Sequence, residues 1–363
     1  MAQKPPPICL ACDLQPNNGE GRLALLYMLN ALDLKIDSVH KQSLLSSRSG
    51  DVLTPLPVNG VRWRRAVPAY LWLLWQVIQL HFVRKADVVV LNYLPLWNVF
   101  FFLLVPKTVT LAPITGGGRV NSRHLGVPRW QRVLVSLTRN ILIPFLYQMS
   151  AVIIRCRSLV VRPATPAVNV ALGYNDARPR FIETDHLSVT AAETMNSGTK
   201  RFVDAIAYIG PHLLKNSQLS IQVMNSLASD GFKVILIGPA VPDFNINDNV
   251  DHYSTVDHKT VLRLMSTSVT SLSLSLEQAG FFSFEAAASG CVVLCLPNSG
   301  GSVLPHAVLL AEDNEQVSSD LLVARCKIAI ETARVSSSQT ASYIAAETRK
   351  VHKVAKAFFY QNI

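Results

Sequence analysis

A chain of 363 residues exceeds one ordinary core and suits two α/β domains. Apolar residues make up 49% and charged residues 16%, which excludes a long disordered arm, and six cysteines set mostly in apolar runs exclude a disulfide scaffold. The net charge of +10 is carried by the first half: residues 1–180 hold 21 Lys and Arg against 7 Asp and Glu (21 − 7 = +14), residues 181–363 hold 13 against 17 (13 − 17 = −4).

A basic half points to an anionic partner, whether a phospholipid surface, a lipid-linked diphosphate or a nucleic acid, or else to a merely solvated basic face. Nucleic acid is set aside because the basic residues are interleaved with apolar helices and no DNA- or RNA-binding motif is visible. Met1 to Pro7 is polar and proline-rich, and the apolar stretch behind it is shorter than a signal-peptide core, so a cytoplasmic location is expected.

In chain order, Ile8 to Cys12 reads as a short buried strand, Gln15 to Gly21 as a loop with Gly19 and Gly21, and Arg22 to Leu32 as a helix. Cys9 and Cys12 form a C-x-x-C, but no second pair or histidine completes a zinc set, so both read as packing residues. From Pro68 to Val83 runs a helix with Leu71, Leu74, Trp75, Ile78 and Phe82 on one face, flanked by Arg62, Arg64, Arg65, Arg84 and Lys85. At about 16 residues it falls short of the roughly 20 a membrane span needs. It is either buried against its own sheet or lies at a membrane surface.

Ala86 to Leu91 then predicts a strand, Leu94 to Val105 a helix, and Thr108 to Ala112 and Ala151 to Ile154 two more strands. The stretch from Val160 to Lys200, rich in Pro, Thr, Ala and Asn, reads as the linker. Beyond it the alternation restarts: strands at Ile206 to Ile209, Val234 to Ile237, Val269 to Leu274 and Val292 to Leu296, with helices at Leu219 to Ala228, His258 to Met265 and Ser283 to Ala288. The tail from Ser338 to Tyr360 is expected to be helical, with Arg349, Lys350, Lys353 and Lys356 making one face basic.

The segment from Ser275 to Gly290 carries the chemistry. It places Glu277 and Glu285 eight positions apart inside an apolar, small-residue stretch where a stray carboxylate is costly. Glu277 should end a strand and Glu285 open a helix capped by Gly290, leaving Gly280, Phe281, Phe282 and Ser283 as a loop at a helix N-terminus, a site for phosphate or sugar hydroxyls.

Here the sequence resembles the retaining GT-B glycosyltransferases of family 4, marked by Glu, seven residues, Glu, a small-residue helix and an apolar strand, as in Glu277 to Leu296. The likeness continues through Ile209-Gly210 with Lys215-Asn216 opening the next helix, through the Gly300-Gly301 loop, through Gly19-Glu20-Gly21-Arg22, and through Ala112 to Gly118. Two departures stand out: Pro211 and His212 occupy the place where the family commonly has an Arg, and no His follows Ala112 before His124. Either Arg119 or His124 would substitute for that His, or the activity would be altered.

The resemblance implies an α/β chain of two doubly wound Rossmann-like domains facing across a cleft (GT-B). Residues 1–172 would form an acceptor- and membrane-side domain, 173–340 the nucleotide-sugar-binding domain, and helix 341–363 would pack back on the first. It implies a retaining hexosyltransferase acting on a glycan acceptor, lipid-linked, in surface polysaccharide or lipopolysaccharide assembly. Lys215 would stand on the donor diphosphate, Glu277 on the transferred sugar and Glu285 on the ribose. The backbone of Gly280 to Ser283 would steady the sugar hydroxyls, with Gly300, Gly301, Gly19 and Gly21 around the donor. Gly116, Gly117, Gly118, Arg119 and His124 would form the acceptor loop. No Asp-x-Asp occurs in the chain, so metal-independent transfer is expected, with the nucleotide-diphosphate sugar as co-substrate and no cofactor. An epimerase or hydrolase of nucleotide sugars, or a non-catalytic relative that binds a partner, are the alternatives. The protein would sit peripherally on the inner face of a membrane.

Overall fold

The computed structural model describes residues 8–11, 63–83, 85, 88–163, 166–173, 200–241, 244–277, 281–297, 299–304, 306–313, 315–335, 342–344 and 346. Gly19, Gly21, Gly280, Cys12 and the helix expected at Arg22 to Leu32 lie outside the described residues. Of the expected C-terminal helix only Ser342, Tyr343, Ile344 and Ala346 are described, and all four are helical.

Contacts divide the chain into two compact units, one of Met1–Gly116, Leu142–Asp185 and Ala355–Ile363, the other of Gly117–Ile141 and His186–Val354. The first contains a four-stranded parallel sheet of β1 (Ile8–Ala11), β2 (Val88–Pro95), β3 (Thr110–Thr115) and β4 (Val160–Pro163), in that order. Its helices are α1 (Trp63–Ile78), which runs into a π turn at Gln79–Val83, α2 (Val99–Leu104), α4 (Ile143–Arg157) and α5 (Pro166–Ala171). Between α2 and α4 in the chain lies α3 (Arg129–Leu137), which belongs to the second unit.

The first core gathers Val88, Val90, Leu111 and Ile114 from the strands with Leu73, Val77, Phe101, Phe102, Ala151 and Ile154 from the helices. Helix α1 and the π turn after it bury Leu73, Leu74, Val77 and Leu80 and leave Leu71, Trp75 and Phe82 exposed. The face expected to act together is therefore split: Leu74 turns inward, Leu71, Trp75 and Phe82 outward.

Three expectations need correction. Ala151 to Ile154 lies inside α4, not in a strand; four apolar residues are too short to discriminate, and the run continues upstream at helical spacing until Ser158, at φ 51°, ends the helix with its N–H on the Arg155 and Ile154 carbonyls. The strand follows at Val160–Pro163, so the linker cannot begin at Val160. The expected helix at Leu94 shrinks to Val99–Leu104, because β2 runs on through Pro95 and the Asn98 side chain caps the helix by accepting from the Phe101 N–H.

The second unit has a six-stranded, all-parallel sheet in the order β10-β9-β8-β5-β6-β7. Its strands are β5 (Val203–Tyr208), β6 (Val234–Ile237), β7 (Asp251–Tyr253), β8 (Ser268–Ser273), β9 (Val292–Cys295) and β10 (Val308–Leu309). The helices are α6 (Ser217–Ser229), α7 (His258–Ser266), α8 (Phe281–Ala288) and α9 (Ser319–Val335). Strand residues alternate between two cores. Val203, Ile206, Ile235 and Ile237 meet Leu262 and Met265 of α7 and Ala286 and Ala288 of α8. Ala205, Ala207, Val234 and Leu236 meet Met224 and Leu227 of α6 and Leu322, Cys326 and Ile330 of α9. Helices cover both faces, which is why β6 reads Val-Ile-Leu-Ile without a polar break. The doubly wound α/β class expected for this half is what the chain forms.

Cys291, Cys295 and Cys326 are buried, and burial pushes the thiols of Cys295 and Cys326 up to about 12, in line with small apolar packing residues.

Residues Gly117–Ile141 group with the second unit, although they precede the expected linker. Val120, Leu125 and Val127 join its core. Asn140 grips the Val120 backbone twice, accepting from its N–H (2.9 Å) and donating to its carbonyl (3.1 Å). Such contacts link positions twenty to ninety residues apart, which periodicity cannot reveal.

Among the described residues, the helical run Arg129–Arg157 is long and apolar enough, by length and composition, to cross a membrane. It carries Arg139 and Asn140 midway, and Tyr147, Ala151 and Ile154 pack in the first core, as in the core helix of a folded unit.

Candidate active site

Strand β5 is first in the second sheet. From it the chain winds outward to β6 and β7 on one side, then returns to place β8, β9 and β10 on the other. The topological switch point therefore lies between the carboxyl ends of β5 and β8, where open α/β sheets bind ligands. The loops that leave those two ends carry Lys215 and Glu277.

The structure brings the pair together. Lys215 Nζ stands 2.5 Å from Glu277 Oε2, and His212 Nδ1 stands 3.3 Å from Glu277 Oε1. The loop is held by its backbone: the Leu276 N–H donates to the Leu214 carbonyl (2.8 Å), and the Gly300 N–H to the Glu277 carbonyl (2.8 Å). Ser275 adds its hydroxyl to the Leu214 carbonyl and receives the Glu277 N–H. Behind the pair, the Lys215 ammonium lies 5.3 Å from the Tyr208 ring centroid, and Tyr208 in turn packs on Phe282 at 5.7 Å.

Burial alone would push the Glu277 carboxyl up; the His212 hydrogen bond and the Lys215 charge and hydrogen bond outweigh it and hold the group below the usual carboxylate range. Glu277 is thus ionised at neutral pH. The linked stability is full above the ordinary value of 4.5 and is lost as pH falls through the depressed folded value.

Glu285 is buried at 5% exposure and pairs with His258 Nε2 at 2.9 Å. It lies in the middle of α8 rather than opening it, since the helix begins at Phe281 and Gly290, at φ +82°, closes it. Ser283 is buried in the first turn and donates to the Ser273 hydroxyl (2.8 Å). Gly301 sits against it: a Cβ there would meet Ser283 Oγ and Cys295 Cβ at 3.2 Å, so this backbone approach admits no side chain without movement. Glu277, Lys215, Glu285, Phe282, Ser283, Gly300 and Gly301 are therefore neighbours around one end of one sheet.

The unit boundary falls within the glycine run: Gly116 groups with the first unit, and Gly117, Gly118, Arg119 and His124 group with the second. A Cβ on Gly116 would stand 2.7 Å from the Tyr147 ring, so packing explains that glycine. Arg119 is exposed.

His124 is fully buried, with Asn121 Nδ2 3.2 Å from its Nε2. Burial lowers its ionisation below 6.5 despite the Glu312 and Glu315 backbone contacts and the charges of Asp313 and Glu315. Protonation then favours the unfolded chain, so the stability this neutral ring contributes is full above pH 6.5 and is lost as pH falls through the folded value. Thermal melts taken from neutral pH down to about pH 5 should show a loss of at most about 1.4 kcal/mol per pH unit from this group, absent in His124→Gln.

Sequence reasoning missed three residues. His212 was noted only as standing where an Arg was expected, and the structure sets it on Glu277. His258 appeared only as a helix start, and no local signal pairs it with Glu285, 27 positions on. Asn216, buried and left-handed at φ 55°, donates from Nδ2 to the His124 carbonyl (2.8 Å) and the Leu274 carbonyl (3.3 Å), while its Oδ1 accepts from the Gly126 N–H (2.9 Å). The sequence marked Asn216 only as the residue beside Lys215 at a helix opening, and Asn tolerates that backbone region.

No protein-family model matches the chain, and no curated protein matches it in sequence. Among solved structures, it is similar to sucrose-phosphate synthase from Thermosynechococcus elongatus at 11% identity, covering 85% of this chain and 78% of that one, TM-score 0.48. It is similar to the Anabaena HepE protein in complex with UDP-glucose at 12% identity, covering 96% of each, TM-score 0.44. A UDP-N-acetylglucosamine 2-epimerase from Listeria monocytogenes, described as putative, aligns at 9% identity over 81% of this chain and 80% of that one, TM-score 0.41. Overlaps this partial carry neither fold nor function to this chain, and both rest on its own sheets and site.

Proposed function

We propose that this protein is a retaining glycosyltransferase that moves a hexose from a nucleotide-diphosphate donor to a lipid-linked glycan acceptor in surface polysaccharide assembly, without a metal. The observation that carries the reading is the Lys215–Glu277 pair at the switch point between β5 and β8. As the bond between sugar C1 and the diphosphate oxygen breaks, negative charge builds on the leaving group. An ammonium has three donors, so Lys215 can hold Glu277 and also meet phosphate oxygens. His212 adds a second nitrogen on the Glu277 side, where it supplies charge only when protonated.

Glu277, ionised, accepts hydroxyl hydrogen bonds from the transferred sugar, and Glu285, oriented by His258, accepts those of the ribose. The acceptor hydroxyl forms the new bond to C1, and its proton passes to the departing diphosphate.

Release of nucleoside diphosphate from UDP-, GDP- and ADP-sugars, with and without a lipid-linked acceptor, tests this. Acceptor-dependent release is the expected result. Release at equal rate without acceptor would instead indicate a hydrolase, and no binding or release across the panel would sink the reading.

A further inference from the structure

The second unit holds a cavity of about 840 Å³ beside α3, and the charged residues that line it are arginines. Arg123, Arg129 and Arg132 line it together with Ser122, Ser136 and Gln316, and no carboxylate is among the lining residues. Residues 117–141 as a whole contain five arginines and neither Asp nor Glu. Guanidinium forks with hydroxyl donors beside them match a phosphate group in charge and geometry. Helix α3 also begins here with Pro128 at its cap and no side-chain cap bond, which places its positive end on the same side of the chain.

A second feature adjoins this cavity. Trp130, Val133, Leu134 and Leu137 are each more than half exposed and recur at steps of three and four on one face of α3, and Ile141, in the π turn that follows, is more than half exposed as well. Four large apolar residues in one exposed stripe, with a fifth beyond it, differ from singly scattered surface hydrophobics. Val133 and Leu137 belong to the stripe and also line the cavity, so cationic and apolar surfaces meet there.

We propose that α3 and its arginine-lined cavity dock on an anionic phospholipid surface, the cavity taking a lipid phosphate and the Trp130–Leu137 stripe resting in the headgroup–acyl boundary. A phospholipid presents those two chemistries at that spacing, and a tryptophan with flanking arginines is the composition that lies at such an interface. The proposal deepens the reading above, which requires a lipid-linked acceptor within reach.

Sedimentation of the full chain with vesicles, without any donor sugar, tests docking separately from transfer; donor turnover on a detergent-dispersed acceptor tests transfer separately from docking. Vesicles of phosphatidylcholine mixed with phosphatidylglycerol should bind more strongly than phosphatidylcholine alone, and added salt should weaken the difference. Arg123→Gln and Arg129→Gln should each lower the partition onto anionic vesicles about fivefold. Arg132 is spared because its Nε donates to the Val127 carbonyl (2.8 Å) and supports the loop. Trp130→Ala with Leu134→Ala should weaken binding to both vesicle types while circular dichroism stays unchanged. Equal partition onto both vesicle types, or arginine variants that bind like the wild type, would overturn the proposal. So would saturable binding of inorganic phosphate with no vesicle association, which would assign the cavity to a soluble phosphorylated ligand.

Discussion

Replacing Lys215 by Ala is expected to lower sugar transfer about a hundred- to a thousandfold, roughly 2.7–4 kcal/mol, the magnitude found when one preorganised donor to a developing anion is removed. Two effects combine in that variant. The leaving diphosphate loses its cation, and Glu277 loses the charge that keeps it ionised against burial. The second effect has its own signature, because the Glu277 carboxyl must rise, and the acid limb of the rate profile must move to higher pH with it. His212→Ala should shift the same limb in the same direction, since its hydrogen bond is the larger of the causes that depress this group. Glu277→Gln carries no titrating carboxyl and should lose the limb. Because the two side chains act as a unit, Lys215→Ala with Glu277→Gln should cost clearly less than the sum of the single losses. Full activity in Lys215→Ala with an unshifted profile would sink the assignment.

The second large effect concerns Asn216, which joins the loop at His124–Gly126 to the segment that carries Lys215. Asn216→Ala removes three hydrogen bonds and leaves the His124 carbonyl and the Gly126 N–H without this partner. Each such group costs about 1–3 kcal/mol, and a left-handed backbone adds about 1–2 kcal/mol for Ala. A loss of about 3–5 kcal/mol is expected, read as a fall of roughly 6–20 °C in the melting of the second unit. Asn216→Gly relieves the backbone but not the hydrogen bonds and should recover only the smaller part. A melt like that of the wild type in Asn216→Ala would refute the clamp. The loop matters beyond stability, because Arg123 and Val127, which flank it, line the arginine-bearing cavity.

Much of the second unit was legible beforehand. Val234 to Ile237 announced a doubly covered strand because both its faces are buried, and the Glu277–Gly290 segment stood out because carboxylates are costly among small apolar residues. Even there the reading slipped by part of a turn: Glu285 was placed at the helix start and sits four residues inside it. In the first half the signals were weaker, since four apolar residues such as Ala151 to Ile154 satisfy helix and strand alike until their neighbours settle the period.

The sequence by itself determined the α/β alternation, the approximate limits of most second-unit elements, and the two carboxylates of the Glu277–Gly290 segment, because these depend on local spacing and on the cost of burying charge; Lys215 was singled out by the family resemblance alone. Only the tertiary structure decided that His212 and His258 stand on the two carboxylates, that Asn216 grips His124 and Gly126, and that residues 117–141 leave the first unit for the second. Those are contacts between side chains tens of residues apart, and their free energy exists only once the sheet has brought the loops to one edge.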